Sequence, residues 1–512
     1  MRLSPLLIAA LLGGGCAGRT NIAPAFASGA SAEANTQQAL ARIRTLNPRL
    51  NAVIAVDPGA LAEAQARDRA ATRGALHGMP ILIKDNIETA GSLPTTAGSL
   101  ALADNVTGRD APIVARLRAA GAVIVGKANL SEWANIRSSN SISGWSAVGG
   151  QARNPYALDR NPCGSSSGSA VAVAAGMVPA AIGTETDGSI TCPAAVNGIV
   201  GMKPTVGLVS RSRIIPISAS QDTAGPMARS VREAALVLSA IAGSDPADPA
   251  TAEADAMRAD YAAGLSPEAL RGKRIGVMRF ADGFGTDEAF ESALGVLRAQ
   301  GAILVDIDSL EGRGEIGRLE LKVLLAEFKS GLNAYLATAP ASVRTRSLAD
   351  VIAFNRTHAD REMGLFGQDL FEQADATKGG DDPEVRAART ASLRLAGAEG
   401  IDRLLREHRV VALVGPTMPA AWPIDAVHGD QYPGAGGGSL AAVAGYPHIS
   451  VPMGMVKGLP LGLSIIGPKW SDGLVLSLAY AFEQARPPVL APTFLRTLEE
   501  HPEVAPHLEP RN

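Results

Sequence analysis

Residues 162–170 read Pro-Cys-Gly-Ser-Ser-Ser-Gly-Ser-Ala and run directly into the apolar residues 171–175. A flexible linker would not lead so abruptly into a segment that can form a helix. Small residues before a helix leave backbone N–H groups facing an open site, which suits an anion or a developing oxyanion. The stretch therefore predicts a loop-to-helix junction that carries a functional site.

Two other interpretations of this stretch are weaker. A phosphate-binding loop would end in Gly-Lys followed by Ser or Thr, which this stretch lacks. Residues 164–168 also fit the G-x-S-x-G pattern, with Ser166 as the nucleophile and His428 or His448 as its base. That motif must follow a β-strand. Residues 160–163 are instead turn-like and contain a proline.

A second cluster of small residues lies downstream, and a lysine lies upstream. Residues 183–190 read Gly-Thr-Glu-Thr-Asp-Gly-Ser-Ile and place Ser189 24 positions after Ser165. Residues 78–86 read Gly-Met-Pro-Ile-Leu-Ile-Lys-Asp-Asn, so Lys84 ends a strand-like apolar run. A lone lysine of this kind is usually a surface cation. Only its combination with the two serine clusters makes it a candidate functional residue.

The rest of the chain predicts a layered α/β sheet. Among the 512 residues, 46% are hydrophobic and 19% charged, and the net charge is −3, which disfavours nucleic acid and anionic membranes as partners. Buried strands are predicted near 122–125, 275–278, 302–305 and 410–414, with helices at 110–120 and 319–336. The charge-rich residues 252–408 are interpreted as a peripheral helical elaboration.

The amino terminus predicts export. Arg2 precedes the apolar residues 6–12, and Ala25-Phe26-Ala27 has the pattern read by signal peptidase. We expect residues 1–27 to be a signal peptide, with lipidation of Cys16 as the alternative. The apolar run is far shorter than the roughly 18 residues of a membrane span. The expected location is the periplasm or the exterior.

In combination, these motifs resemble the amidase signature family. Further similarity lies in residues 220–227 (Ser-Gln-Asp-Thr-Ala-Gly-Pro-Met) and 444–463. The resemblance implies one large domain, residues 28–498, with a central mixed β-sheet covered by helices on both faces, and a tail at 499–512. Within the family, the serine clusters look most like those of bacterial peptide amidases, which remove ammonia from carboxy-terminally amidated peptides.

The resemblance also implies roles for the motif residues. Ser189 would be the nucleophile, Lys84 the base and Ser165 a relay that follows a cis peptide bond. The oxyanion hole would consist of backbone N–H groups of Thr186, Asp187, Gly188 and Ser189. Supporting positions, which fasten the two loops, would be Gly164, Ser166, Glu185, Asp187, Asp222 and Thr223.

A lysine can act as base only when it is neutral. The site must therefore lower the pKa of Lys84 by roughly 2 to 3 pH units from about 10.4, a differential stabilisation of about 3 to 4 kcal/mol. Burial beneath residues 79–83 would supply it. Asp85 need not oppose this, because neighbours on a strand point to opposite faces.

The remaining expectations concern cysteines, cofactors and substrate. We expect Cys163 and Cys192 to be small buried residues, with a disulfide as the alternative. No histidine has metal-ligand spacing, so neither metal nor cofactor is implied. Relatives that accept acidic substrates carry an arginine just after the nucleophile, and residues 190–193 (Ile-Thr-Cys-Pro) have none.

A neutral amide, most plausibly of an amidated peptide, is therefore the expected substrate, and no partner protein is required. An acyl or aryl amide is the alternative, and a non-catalytic peptide-binding protein is the alternative of another class. The helical segment and residues 432–439 are expected to build the pocket.

Overall fold

The computed structural model describes residues 29–431 and 436–508. The predicted signal peptide, Cys16, residues 432–435 of the expected pocket segment and residues 509–512 of the tail lie outside the described residues. Within the described ranges, no helix is both long and apolar enough to cross a bilayer.

Short apolar runs, many of them rich in β-branched residues, form the strands. In chain order the strands are β1 (Val53–Val56), β2 (Pro80–Lys84), β3 (Val123–Ala128), β4 (Trp145–Ser146), β5 (Gly150–Gln151), β6 (Ala180–Glu185), β7 (Val200–Lys203), β8 (Thr223–Ala228), β9 (Arg274–Met278), β10 (Ile303–Ile307), β11 (Ala412–Pro416), β12 (His448–Val456) and β13 (Leu459–Ile466).

Eleven strands form one mixed sheet. Their order is β1-β3-β2-β6-β8-β7-β12-β13-β11-β9-β10, and β4 and β5 form a separate pair. β2 lies parallel to both β3 and β6, whereas β8 lies antiparallel to β6 and β7. Because β2 and β6 are parallel neighbours, their carboxyl ends meet at the same edge of the sheet. Lys84 ends β2 and Glu185 ends β6 at this edge.

Alanine-rich amphipathic stretches form the helices. They are α1 (Ala32–Leu50), α2 (Ala60–Arg69), α3 (Pro112–Ala119), α4 (Ser167–Ala174), α5 (Thr191–Val196), α6 (Val231–Ile241), α7 (Ala254–Met257), α8 (Asp287–Ala299), α9 (Arg313–Ala337), α10 (Leu348–Thr357), α11 (Ala359–Glu362), α12 (Asp369–Asp375), α13 (Pro383–Ala396), α14 (Asp402–His408), α15 (Gly438–Ala444), α16 (Asp472–Ala485) and α17 (Ala505–Leu508).

The sheet has a hydrophobic core on each face. Successive side chains of a strand point to opposite faces, and β2 illustrates this. Ile81 and Ile83 belong to the core that includes side chains of α3, α6, α8 and α16, while Leu82 belongs to the core under α1 and α4. Each such side chain contributes about 1.5–3 kcal/mol when fully buried. The predicted single α/β domain, with helices on both faces of a mixed sheet, is confirmed.

Residues 252–408 contribute strands as well as helices. β9 and β10 extend the sheet at its last edge, and Ile303 of β10 is 49% exposed. The expectation of a buried strand there is wrong, because an edge strand has a neighbour on one side only. The helices α9, α10 and α12 enclose a separate apolar cluster, in which Phe371 stacks on Phe328 and meets Trp133 edge-on.

Candidate active site

The carboxyl end of β2, the loop before α4 and the loop between β6 and α5 converge on the site. Lys84 is the last residue of β2, Ser165 lies two residues before α4, and Ser189 lies between β6 and α5. Ser166 N–H donates to the carbonyl of Ser189 at 3.1 Å, so the two serine loops are held together through the backbone.

Lys84 is fully buried and contacts two hydroxyl groups. Its Nζ lies 2.7 Å from Ser165 Oγ, 2.8 Å from Thr184 Oγ1 and 3.2 Å from the Thr184 carbonyl oxygen. Asn86 Nδ2 donates to the same Thr184 hydroxyl at 3.0 Å. The amine and the Ser165 hydroxyl are therefore placed to exchange a proton.

Burial decides the charge of this amine. Desolvation lowers the pKa of Lys84 to about 7, against the opposing influence of the Asp222 and Glu185 carboxylates. Asp85 faces the other way, as its alternate position on the strand predicts. Its Oδ1 lies 3.5 Å from Lys127 Nζ, and its Oδ2 accepts from Thr96. Among the residues that the structure describes, no carboxylate is thus in direct contact with Lys84 to hold it charged.

Ser165 follows a cis peptide bond with Gly164. A Cβ built on Gly164 would collide with Ser131 Oγ and lie 3.1 Å from Asn135 Nδ2. Glycine is therefore required at this position by close approach of neighbouring side chains. Ser165 itself is fully buried, with its hydroxyl beside Lys84.

The loop before α5 offers backbone donors to the cleft. Within the described part of the chain, the N–H groups of Asp187, Gly188 and Ser189 donate to no other protein group. Gly188 has φ +76°, and a Cβ added there would meet no atom of the described residues within 4 Å. A substrate carbonyl can therefore approach this backbone closely, as an oxyanion hole requires.

A disulfide joins the two serine loops. Cys163 and Cys192 are bonded, with their Cα atoms 6.1 Å apart. The preferred expectation of two unbonded cysteines is therefore wrong, and the alternative holds. Composition could not decide this, since bonded and free cysteines are both commonly buried.

Carboxylates fasten the loop that carries Ser189. Glu185 accepts from the N–H groups of Ile190 and Thr191 at 2.7 and 2.9 Å. Asp222 accepts from the Thr186 hydroxyl at 2.6 Å. These two side chains therefore hold the loop in position without facing the nucleophile's hydroxyl.

Two other supporting candidates make backbone contacts. Ser166 Oγ donates to the Thr184 carbonyl at 3.1 Å and accepts from its N–H at 3.2 Å. Thr223 Oγ1 donates to the Ala224 carbonyl at 3.3 Å, so it contacts its own strand rather than the serine loops.

The alternative in which Ser166 is the nucleophile has no base. His448 lies buried in β12 with Nε2 2.6 Å from Ser464 Oγ, and burial lowers its pKa to about 3. His428 is exposed and pairs with Asp425. Neither histidine contacts Ser166, whose hydroxyl is committed to Thr184.

An open cleft of about 770 Å³ lies over Ser189. Its lining includes residues 186–189, which carry the backbone donors, and the disulfide. Phe280, Arg313, Leu324, Gly436 and Ser439 also line it. The helical segment and the described part of residues 432–439 thus contribute to it, as expected. In the described ranges, no cluster of three or more His, Cys, Asp or Glu residues is arranged to hold a metal ion.

Sequence reasoning missed three polar residues near the site. Thr184 and Asn86 lie inside the quoted motifs, yet nothing in the pattern indicated that they would contact or adjoin the lysine. Glu320 accepts from Gln221 Nε2 at 2.8 Å, and the same Nε2 donates to the Thr186 carbonyl at 3.3 Å. From sequence alone, a glutamate on an amphipathic helix such as α9 is interpreted as a solvated surface charge.

The chain is similar to known proteins over most of its length. The family model described as Amidase matches residues 34–476. A probable amidase of Arabidopsis thaliana is 42% identical over 462 residues, covering 87% of this chain and 85% of that protein.

Solved structures of peptide amidases are also similar to this chain. The peptide amidase PAM in complex with the competitive inhibitor chymostatin is 54% identical with TM-score 0.87, covering 91% of this chain and 96% of that one. Native peptide amidase from Stenotrophomonas maltophilia is 53% identical with TM-score 0.85 and the same coverage.

Proposed function

Because the chain belongs to the amidase signature family and is an amidase, we propose that it hydrolyses the carboxamide at the carboxyl terminus of peptides. The observation that carries the mechanism is the 2.7 Å contact between the buried Lys84 Nζ and Ser165 Oγ. The products are a peptide carboxylate and ammonia.

Acylation starts from neutral Lys84. Ser189 Oγ attacks the amide carbon while its proton passes to Ser165 Oγ, and the Ser165 proton passes to Lys84 Nζ. The oxyanion accepts hydrogen bonds from the free N–H groups at 187–189. The lysine then returns the proton through Ser165 to the departing nitrogen, so ammonia leaves and an ester to Ser189 remains.

Deacylation uses the same path. Water attacks the ester carbon and gives its proton through Ser165 to Lys84. Collapse of the tetrahedral intermediate breaks the bond to Ser189 Oγ, which recovers a proton from the relay. The cycle consumes one water per amide and leaves the enzyme unchanged.

The cleft supports a peptide substrate. Its volume of about 770 Å³ is within the range that holds several residues of a ligand. Its described lining contains the carboxylates Asp187, Asp282 and Asp430 but one basic side chain, Arg313. This charge balance suits an amidated peptide, which has an amino-terminal ammonium and no terminal carboxylate. Apolar lining by Ile217, Phe280 and Leu324 favours an acyl or aryl amide as the second candidate.

We also propose that the enzyme works outside the cytoplasm. The Cys163–Cys192 disulfide supports this, because disulfides persist mainly in oxidising compartments. The Ala25-Phe26-Ala27 pattern points the same way. Cell fractionation, with mass measurement of the mature amino terminus, tests both export and the alternative of lipidation at Cys16.

An ammonia-release assay tests the activity. Substrates are a dipeptide amide, its free acid, a fatty acyl amide and an anilide, the last followed by aniline release. We expect fastest turnover of the dipeptide amide, and loss of at least about 10⁴-fold in Ser189→Ala. Ser342→Ala, a surface serine whose Oγ donates to the Asp104 carbonyl, is the matched control. Turnover by Ser189→Ala would refute the mechanism, and faster hydrolysis of the acyl amide or anilide would refute the substrate assignment.

A further inference from the structure

A side pocket of about 320 Å³ opens from the cleft. It lies between the first turns of α9 and the residues 436–440 that enter α15. Arg313, Gly436 and Ser439 line both the cleft and this side pocket, so the two spaces are continuous. A Cβ added at Gly314 or Gly317 would meet no atom within 4 Å among residues 29–431 and 436–508, so this wall of α9 is open to the described part of the chain.

The side pocket lies close to the nucleophile. Asp187, two residues before Ser189, interacts with the Ser439 hydroxyl at the pocket wall. Glu320, which lines the pocket, is connected through Gln221 to the Thr186 carbonyl of the same loop. A group bound in the pocket therefore lies beside the loop that holds the scissile carbonyl.

Glu320 is an acceptor without a full set of partners. Its side chain is only 8% exposed. One carboxyl oxygen accepts from Gln221, whereas the other accepts no hydrogen bond from the residues that the structure describes. Because Glu320 lines the pocket, this second oxygen can accept a hydrogen bond from a bound ligand.

The charges around Glu320 are few. The Asp187 carboxylate raises the pKa of Glu320. The pKa of Asp187 is in turn raised by Glu185 and lowered by Lys203. Arg313 lies two turns back on α9, at the exposed rim, where it donates to the carbonyls of Phe280 and Gly436.

The packed helices add no free charge near Glu320. α15 (Gly-Ser-Leu-Ala-Ala-Val-Ala) carries no titratable side chain. On the neighbouring α13, Arg389 pairs with Glu327, two turns further along α9.

We propose that the side pocket receives the side chain of the residue whose carboxamide is hydrolysed, and that Glu320 selects lysine and arginine there. This rests on the proposed peptide amidase function and assigns its specificity. The pocket volume accommodates a long side chain, and an ammonium or guanidinium donates to the oxygen of Glu320 that has no partner.

Selection by Glu320 depends on pH. Burial, and then the Asp187 carboxylate, raise the pKa of Glu320 to about 8. Below that pH the acid is neutral, and a cationic side chain must displace its proton. The preference for lysine therefore grows as pH rises from 6 to 9, while the substrate ammonium stays charged.

The test compares Ala-Lys-NH₂ with Ala-norleucine-NH₂, which has nearly the same shape and no charge. The ratio of their kcat/KM values cancels the titration of Lys84, which acts on both. We expect the ratio to reach about tenfold at pH 9 and to fall toward one at pH 6. In Glu320→Gln, which can still accept from Gln221, the ratio should stay near one at every pH. Glu315→Gln, exposed on the same helix, is the control and should behave as the wild type.

A steric variant checks the location. Gly317→Leu fills the open space and suits a helix better than glycine. We expect it to lower kcat/KM for both long side chains at least tenfold while Ala-Ala-NH₂ is hydrolysed normally. An unchanged ratio in Glu320→Gln, or equal loss for all three substrates in Gly317→Leu, would overturn the proposal.

Binding separates this inference from the proposed function. If no peptide amide is hydrolysed, the function fails, but calorimetry on Ser189→Ala still tests the pocket. At pH 7.5, in two buffers of different ionisation enthalpy, Ala-Lys-NH₂ should bind more tightly than Ala-norleucine-NH₂ and release about three-quarters of a proton, the protonated fraction of a carboxyl group whose pKa is about 8. Adding Glu320→Gln should remove both differences, and equal binding of the two peptides to Ser189→Ala would refute the pocket assignment.

Discussion

Lys84 is completely buried, and the proposed mechanism requires its amine to be uncharged. The pKa of Lys84 is lowered to about 7 by desolvation. Because the neutral form is the base, kcat/KM should fall as pH drops through about 7, with a limiting slope of one. Asp222→Asn removes a carboxylate that raises this pKa, so the acidic limb should move to lower pH. Pre-steady-state and steady-state pH profiles of the wild type and of Asp222→Asn check the acidic limb and its movement. An acidic limb at the same pH in both proteins would contradict the assignment of Lys84 as the base.

Lys84→Arg separates charge from proton transfer. A guanidinium keeps the positive charge but cannot deprotonate near neutral pH. We expect activity to fall about 10²- to 10⁴-fold at every pH, the range lost with a general base. Recovery of activity at high pH in this variant would show that a different group accepts the proton.

The same lowered pKa makes Lys84 a source of instability. Between about 7 and 10.5 the unfolded chain binds more protons than the folded protein, so stability of the wild type rises with pH in that window. Below about pH 7 the full penalty applies, about 5 kcal/mol for this shift. Lys84→Met should therefore gain more stability relative to wild type at pH 6 than at pH 10, as measured by urea unfolding.

Lys127→Met is the control for this stability effect. Lys127 is equally buried but lies 3.5 Å from Asp85, so its removal leaves a buried carboxylate uncompensated. We expect about 3–5 kcal/mol of destabilisation. Equal stabilisation by both substitutions would mean that burial alone does not set the charge of Lys84.

The residues of the site were predictable to different extents. Lys84, Ser165 and Ser189 could be found because their motifs occur in a fixed order along the chain. The role of Thr184 could be identified only from the fold, because Thr184 and Lys84 are in contact although 100 positions separate them in the sequence. Glu320 was hidden because a lone acidic residue on a helix has the same pattern whether it faces solvent or a pocket.

At the scale of elements, the junctions between loops and helices determine the site. α4 and α5 begin directly after the two serine loops, and the Cys163–Cys192 disulfide closes a loop of 29 residues between them. Closing a loop of this length stabilises a protein by about 3.6 kcal/mol. The disulfide therefore stabilises the arrangement of both catalytic loops.

Removing both cysteines tests this. Cys163→Ala combined with Cys192→Ala should lose about 3.6 kcal/mol of unfolding free energy and lower kcat, since Gly164 and Gly188 lie near the two ends of the bond. Unfolding in urea, with activity measured in parallel, checks both effects. A reductant should weaken the wild type and leave the double variant unchanged. Equal sensitivity of the two proteins would show that the reductant acts elsewhere.

Strand positions followed from apolar runs, but strand neighbours did not. The runs near 275–278 and 410–414 are strands β9 and β11, which pair in parallel although more than 130 residues separate them. A run of β-branched residues does not distinguish an edge strand from a central one, as the half-exposed Ile303 shows. Sheet order depends on packing between distant segments, which single-sequence patterns do not contain.

For the whole molecule, the helical segment is tied to the α/β body by a buried ion cluster. Arg137 is fully buried between Glu132 and Glu362, and its guanidinium stacks on Phe366. Glu362 belongs to α11 of the helical segment, whereas Arg137 lies in the loop after β3. Neighbours of Arg137 in that loop line the cleft over Ser189, so this cluster links the helical segment to the substrate site.

Arg137→Met should damage stability and substrate binding together. It leaves the carboxyl groups of Glu132 and Glu362 buried without a cationic partner, which costs about 3–5 kcal/mol. The cleft wall at Asn135 would lose its support, so KM for peptide amides should rise more than kcat falls. Arg118→Met, which breaks ion pairs of the body with Glu63 and Asp110, is the matched control and should destabilise without this KM effect. A normal KM in Arg137→Met, measured well below its melting temperature, would mean that the helical segment and the cleft are not coupled through this cluster.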